Sequence, residues 1–313
     1  MGKRGRGNGS LRKKTSPARG WVILLVVFSL IVVTIAGLEY LHRRTTTGTP
    51  PDHAPAPSPS PLTSYSAPRY ERYTATLPPP EPAPRQKKRI GTGRAAVAII
   101  VDDMGSSLSE LRSLMSIGYP LTFSVIPVLP HAREVARGAV QGGYEVMLHL
   151  PMEPEGYPDR RIEPGALLLS LPDDEILSRM ERLASVIPEA VGANNHMGSR
   201  FTADQGKMEV VLADLKTRGL FFVDSVTTPK SVGYQTARRL GVRSARRQIF
   251  IDNDLDEVSL RRQLERLAAT ARRHGQAIAI CHPHPETIRV LSLVMPELAR
   301  EGIDFVPVSR LVE

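Results

Sequence analysis

The stretch from Ala96 to Gly105, Ala-Val-Ala-Ile-Ile-Val-Asp-Asp-Met-Gly, limits the possible folds more than any other. A continuous run of small and β-branched apolar residues suits a strand covered on both faces, as in a parallel α/β sheet. Asp102 and Asp103 then fall at its carboxyl end, where such sheets gather ligands and catalytic groups. Successive strand residues face opposite sides. The two carboxylates therefore need not do the same job; one could bind a metal while the other handles a proton. The plainer alternative is that the pair caps the next helix, since Asp is a good N-cap.

The chain after this stretch keeps the same grammar. Strands are expected at Leu121–Val128, Glu145–Leu150, Val191–Ser199, Leu220–Val226, Gln248–Asp252, Ala277–Cys281 and Asp304–Val308. Helices are expected at 109–116, from Pro130 to Gly142, from Asp173 (as cap) to Val186, and at 204–218, 232–240, 259–274 and 287–301. The segment 259–274 is strongly amphipathic, with Leu260, Leu264, Leu267 and Ala271 on one face. About seven strand–helix alternations predict a (β/α) barrel, closed or irregular, rather than an α+β fold.

The first 94 residues differ in kind. Residues 1–20 are basic, and Trp21 to Leu38 is a nearly unbroken apolar run of 18 residues. That length spans a bilayer, and the basic flank predicts a cytoplasmic N-terminus with the remainder exported. We expect an uncleaved single-pass anchor over residues 21–41 in the inner membrane. A cleaved signal peptide is the competing reading, against which Thr34-Ile35-Ala36 is a poor cleavage site. Residues 42–94 are rich in Pro, Ser, Thr and Ala and predict a disordered tether. A folded domain is expected over residues 95–313.

Charge follows the same division. Residues 1–94 carry 16 Lys/Arg and 4 Asp/Glu, leaving 25 and 28 of the totals of 41 and 32 for the rest. The basic balance therefore belongs to the tail, and the domain offers no nucleic-acid face. Cys281 is the only cysteine, which excludes an intrachain disulfide.

Four of the six domain histidines, His149, His196, His282 and His284, sit at or just after expected strands, as do Asp102, Asp103 and Asp224. A barrel collects all strand ends on one rim. Imidazoles and carboxylates converging there suit a divalent metal. A spare Asp would take a proton from water and a spare His would give one to a leaving group. His131 and His274 lie near helix ends and are expected to be structural. Asn194 and Asn195 read as turn residues, and Asp224 as either an orienting group or a helix cap. These residues alone do not choose between metal-dependent hydrolysis and a non-catalytic metal site.

Four motifs go further: Val-Asp-Asp-Met-Gly from Val101, His-Leu-Pro-Met-Glu-Pro from His149, Asn-Asn-His-Met-Gly-Ser from Asn194 and Cys-His-Pro-His-Pro-Glu-Thr from Cys281. In order and spacing, over residues 93–313, the chain resembles the divergent polysaccharide deacetylases, distant relatives of the chitooligosaccharide and peptidoglycan deacetylases. The resemblance implies a distorted (β/α) barrel of the deacetylase type. It implies Asp102 as catalytic base, Asp103 and His149 as ligands of a divalent metal, foremost zinc, and His282 as general acid, with His284 as runner-up. Met152-Glu153-Pro154 stands where such enzymes carry a second His, so His196 is expected to supply the missing ligand. The Arg-x-Pro-Tyr motif of typical members is not recognisable. The implied substrate is an N-acetylated cell-envelope glycan. The other reading is a catalytically inactive module on the same fold that binds glycan or a partner.

Overall fold

The structure, a computed structural model, describes residues 94–313. The anchor expected over residues 21–41, and all but the last residue of the tether expected over 42–94, lie outside the described residues. Among the described residues no helix is long and apolar enough to cross a membrane.

Strands and helices alternate in chain order: β1 (Ala95–Met104), α1 (Leu108–Met115), β2 (Thr122–Val125), α2 (Ala132–Gln141), β3 (Glu145–Met152), α3 (Asp173–Val186), β4 (Gly192–Met197), α4 (Gln205–Thr217), β5 (Phe221–Asp224) and α5 (Gly233–Leu240). There follow β6 (Ser244–Arg246), β7 (Ile249–Phe250), α6 (Glu257–His274), β8 (Gln276–Cys281), α7 (Pro285–Arg300) and β9 (Ile303–Phe305). Two details differ from expectation. β6 was not anticipated, because three residues carry no readable period. Asp173 is the first residue of α3 rather than its cap; with Asp174 and Glu175 it places negative charge on the first turn, where the helix dipole favours it.

All ladders are parallel, in the order β6-β5-β4-β3-β2-β1-β8-β7, with β9 beside the start of β1. The two ends of this order, β6 and β7, are separated in sequence by Arg247 and Gln248 alone. So short a link reaches only about 10 Å, and the two edges of the sheet are forced together. The sheet therefore curls into a half-barrel of parallel strands. Among the described residues no ladder joins β6 to β7; the link itself bridges the seam. Arg247 N–H donates to Asp224 O on one side (3.0 Å), and Gln248 N–H donates to Ile278 O on the other (2.9 Å).

Strand alternation sorts the side chains. Val97, Ile99, Val101, Phe123, Leu148, Ala193, Phe222 and Ala279 pack outward against the helices. Ala98, Ile100, Met147, Phe221, Val223, Ile278 and Ile280 fill the interior, where Val308 and Leu311 join them. Two residues further along the same inward faces stand polar groups: Asp102 after Ile100, His149 after Met147, Ser225 after Val223, His282 after Ile280. The barrel is thus apolar at one end and chemically equipped at the other.

Interior room is tight beneath the site. A Cβ built on Gly192, two residues before Asn194, would come within 2.3 Å of the buried Phe221 ring. We expect Gly192→Ala to lower the unfolding free energy by about 1–3 kcal/mol, the range for overpacking a core. Urea denaturation measures it, and unchanged stability would show that the interior has slack.

Candidate metal centre

The site begins with an irregularity in β1. Val101 pairs with Phe123 and Met104 with Val125, so Asp102 and Asp103 together oppose the single residue Ser124. This is a bulge, and Asp103 takes the left-handed conformation, φ 58°. The expectation that the two carboxylates face opposite sides is therefore corrected, because alternation holds only in a regular strand. Both approach one nitrogen: His149 Nε2 lies 3.1 Å from Asp103 Oδ1 and 3.6 Å from Asp102 Oδ2. Met197 (φ 51°) and Val226 (φ 49°) are likewise left-handed, at the ends of β4 and β5. Such residues cost on the order of 1–3 kcal/mol each and persist where surroundings hold them. Asn195 does much of the holding here: its oxygen accepts from Ser225 N–H (2.9 Å) and its amide donates to Met197 O (2.8 Å).

Three donor atoms meet at the rim. Asp103 Oδ1 is 2.8 Å from His196 Nδ1, and that nitrogen is 3.2 Å from His149 Nε2. The triangle has the size expected of ligands sharing one ion, since metal–ligand distances of about 2.0–2.2 Å at tetrahedral angles place donors roughly 3.3 Å apart.

The hydrogen-bond chemistry argues for a cation more strongly than the distances do. Asn194 Nδ2 donates to Asp102 Oδ1 (2.8 Å) and Ser225 Oγ (3.2 Å), which fixes the orientation of its amide. Its oxygen accepts from Ser124 Oγ (2.5 Å) and lies 2.7 Å from His149 Nδ1, so Nδ1 carries the proton. In a neutral ring Nε2 then presents a bare lone pair to the Asp103 oxygen and to His196 Nδ1. That lone pair and the Asp103 carboxylate, 3.1 Å apart, are reconciled by a positive charge beside them, a proton on His196 without metal or a divalent cation held by all three residues. The residues therefore fit a divalent metal held by Asp103, His149 and His196.

Charges around the triad are strongly coupled. Burial pushes Asp103 up, but His149 and His196 outweigh it and hold the carboxyl well below the usual range. Burial pulls His196 down, but Asp103 and Glu163 outweigh it and push the ring up to about 10. Asp102 is 3% exposed. Burial raises its pKa, against the opposing pull of His149 and Asn194.

His282 stands across the site, with Nε2 at 3.7 Å from Asp103 Oδ2. Asp252 steers it: one carboxylate oxygen accepts from His282 N–H (2.6 Å) and the other lies 3.2 Å from Nδ1. Thr287 Oγ donates to the same carboxylate. Burial lowers the His282 pKa, but Asp252 and Asp103 outweigh it and raise it. His284 is exposed at the start of α7, its ring centroid 5.9 Å from that of His282. It could close a second group with Asp252 and His282, but it does not approach the triad.

Among the other positions, Asp224 takes one of its two sequence readings, whereas Glu153, Asn194 and Asn195 depart from theirs. Asp224 is a cap: its carboxylate accepts from Val226 N, Ser231 Oγ and Tyr234 N, which organises the turn into α5. Glu153, where a second motif His was sought, is a buried clamp that binds Arg200 (2.8 Å) and Leu169 N–H (2.7 Å). Asn194 and Asn195 are organising groups rather than turn residues. Asp252 and Glu163 were missed altogether. Glu163 reaches over from the loop before α3, its Oε2 3.2 Å from His196 Nε2; no period marks a loop residue, and only the folded chain brings it close. His131 and His274 are both exposed, at the edges of α2 and α6, away from the site.

The sequence profile of the divergent polysaccharide deacetylases matches residues 99–312. The chain belongs to the divergent polysaccharide deacetylase family. It is 35% identical over 218 residues to an uncharacterized protein of Haemophilus influenzae, covering 70% of this chain and 77% of that one. It is 36% identical over 202 residues to the uncharacterized protein YibQ of Escherichia coli, covering 64% and 63%. Among solved structures, the uncharacterized protein ATU2773 from Agrobacterium tumefaciens superposes with a TM-score of 0.68 at 30% identity, over 71% of this chain and 91% of that one. This family member thus shares its fold with that relative.

Two outcomes follow. Asn194→Ala leaves His149 without the group that fixes its tautomer, and we expect zinc affinity to fall about 10–100-fold, as for other partners of metal-ligating histidines. Competition with a chelator measures it, with circular dichroism as the check on folding; unaltered affinity would remove Asn194 from the site. Because His196 is protonated below about pH 10 in the metal-free protein, an incoming cation must displace that proton. Affinity should therefore rise about tenfold per pH unit between about pH 6 and 8, and a flat profile would exclude His196 as a ligand.

Proposed function

We propose that this protein is a metal-dependent hydrolase that removes acetyl groups from an N-acetylated cell-envelope polysaccharide. The observation that carries the reading is the meeting of Asp103, His149 and His196 donor atoms, 2.8–3.2 Å apart, with Asp102 and His282 beside them. Family membership supports the substrate class. The apolar run from Trp21 to Leu38 and its basic flank support anchoring in the inner membrane, with the domain on the outer side.

A divalent cation held by Asp103, His149 and His196, foremost zinc, supplies the charge that polarises an acetamide carbonyl and acidifies the attacking water. Asp102 is the base. Burial raises its pKa, which improves a carboxylate as a proton acceptor. Asn194 holds its other oxygen and so fixes its aim. His282 is the acid. Asp252 faces its Nδ1, leaving Nε2 as the nitrogen nearer the site, and its raised pKa keeps a proton available for the departing amine.

The test joins metal content to acetate release from N-acetylated envelope glycans. Wild-type protein should hold about one zinc and Asp103→Ala none. Asp102→Asn should keep the metal and lose at least about 100-fold in turnover, the usual span for a general base. A metal-loaded wild-type protein that binds these glycans and releases no acetate would leave the non-catalytic binding module as the correct reading.

A further inference from the structure

Beside the centre lies a groove of about 310 Å³ that the proposed chemistry leaves unused. Arg160, Arg247, Phe250, Asn253, Met197 and Ser225 are among its walls. It adjoins the site directly: Met197 follows His196 in β4, and Ser225 Oγ accepts a hydrogen bond from Asn194.

Two arginines share its walls, and Arg247 is distinguished by being half-buried and fixed without a contacting carboxylate. The domain has more acids than bases, and many of its arginines are matched to carboxylates, as Arg218 is to Asp214 and Glu181, Arg261 to Glu297 and Arg272 to Glu301. Among the described residues neither Arg160 nor Arg247 has a carboxylate partner within ion-pair distance. Arg247 is half-buried, and burial lowers its pKa. Its guanidinium is nonetheless held firmly. Nε donates to Ser225 O (2.7 Å), one terminal nitrogen donates to Val226 O (2.8 Å), and the plane lies over the Phe250 ring at 5.0 Å. Two carbonyls consume part of the fork and leave the other terminal nitrogen with its donors unspent. Asp102 and Asp224 act on this cation only from a distance, with no carboxylate in contact; a fixed, partly desolvated cation so placed is costly to maintain, and an arginine fork matches the two oxygens of a carboxylate or phosphate. Phe250 continues the wall toward the centre, its ring centroid 5.3 Å from that of His282.

We propose that this groove is a subsite for an oxyanion, carboxylate or phosphate, carried by the glycan whose acetyl group sits at the centre. Arg247 and Arg160 bind the charge and Phe250 offers a face to the sugar. The proposal rests on the deacetylase reading for the identity of the ligand as a glycan, but its charge preference is measurable without turnover.

The experiment is calorimetric binding to the full-length protein in detergent, using charged probes and their uncharged twins. One pair is an N-acetylglucosamine–glucuronate tetrasaccharide and its methyl ester. The other is N-acetylglucosamine 6-phosphate and N-acetylglucosamine. We expect at least one charged probe to bind about tenfold more tightly than its twin, a preference that weakens with added salt. Arg160→Gln and Arg247→Gln should each reduce the affinity for that probe and leave its twin unchanged, and the pair that responds names the oxyanion. Equal binding of both members of each pair, or no binding of any probe, overturns the subsite. If Arg247→Gln weakens both twins alike and Arg160→Gln changes nothing, Arg247 is only a brace for the corner at Ser225 and Val226, and the proposal fails. Acetate release, followed in parallel, keeps the two readings apart. Charge preference without release from any acetylated probe, the metal being bound, supports the subsite and counts against the hydrolase. Release without charge preference does the reverse.

Discussion

The side-chain amide of Asn194 holds the site together. It faces a carboxylate, two hydroxyls and an imidazole from four other strands or strand ends, and each of its hydrogen bonds limits what its partner can do. Its nitrogen satisfies one oxygen of Asp102, so only the other is available. Its oxygen takes the Nδ1 proton of His149, so the lone pair of that ring is at Nε2. A buried amide with this many partners admits one orientation, and a flipped amide would set its oxygen against a carboxylate. The assignment of a ligand nitrogen and of a free base oxygen both depend on that single choice.

A second constraint is backbone strain placed where regular geometry fails. A regular strand would turn one of two adjacent aspartates out of the barrel. The bulge in β1 brings both inside, with Asp103 left-handed, and similar corners at Met197 and Val226 re-aim the ends of β4 and β5. The apolar lower half of the barrel, filled by Ile100, Met147, Val223 and Ile280, gives the irregular upper half something rigid to rest on.

The sequence carries the barrel and most of the triad openly. Buried strands declare themselves by β-branched runs, helices by their apolar stripe, and a polar residue that ends an apolar strand marks the chemical rim. On that basis Asp103, His149 and His196 stood among several strand-end candidates; the family resemblance singled them out as ligands, and the structure brings them together. Other features depend on register between strands far apart in sequence. Nothing local tells that Asn194 will face Asp102, 92 residues earlier, or that Asp252 will reach His282. Glu163 was hidden in a loop, and Glu153 occupied a motif position while serving as a clamp. The bulge was invisible because its cause is a mismatch with β2, not a property of β1.

The pairing of β1 bears on the order in which the molecule can assemble. This first strand lies between β2 and β8, and its partners Gln276 and Ile303 are about 180 and 208 positions further along. Contacts so distant in sequence raise the loop-closure entropy that must be overcome before they help. A chain emerging from its amino end can stack β2 through β5 early, while β1 waits for the last quarter of the polypeptide before both its edges are covered. The strand that supplies Asp102 and Asp103 is thus among the first made and the last secured. Chemical competence then becomes a property of the finished chain, and a molecule cut short before β8 has both aspartates but no frame to hold them.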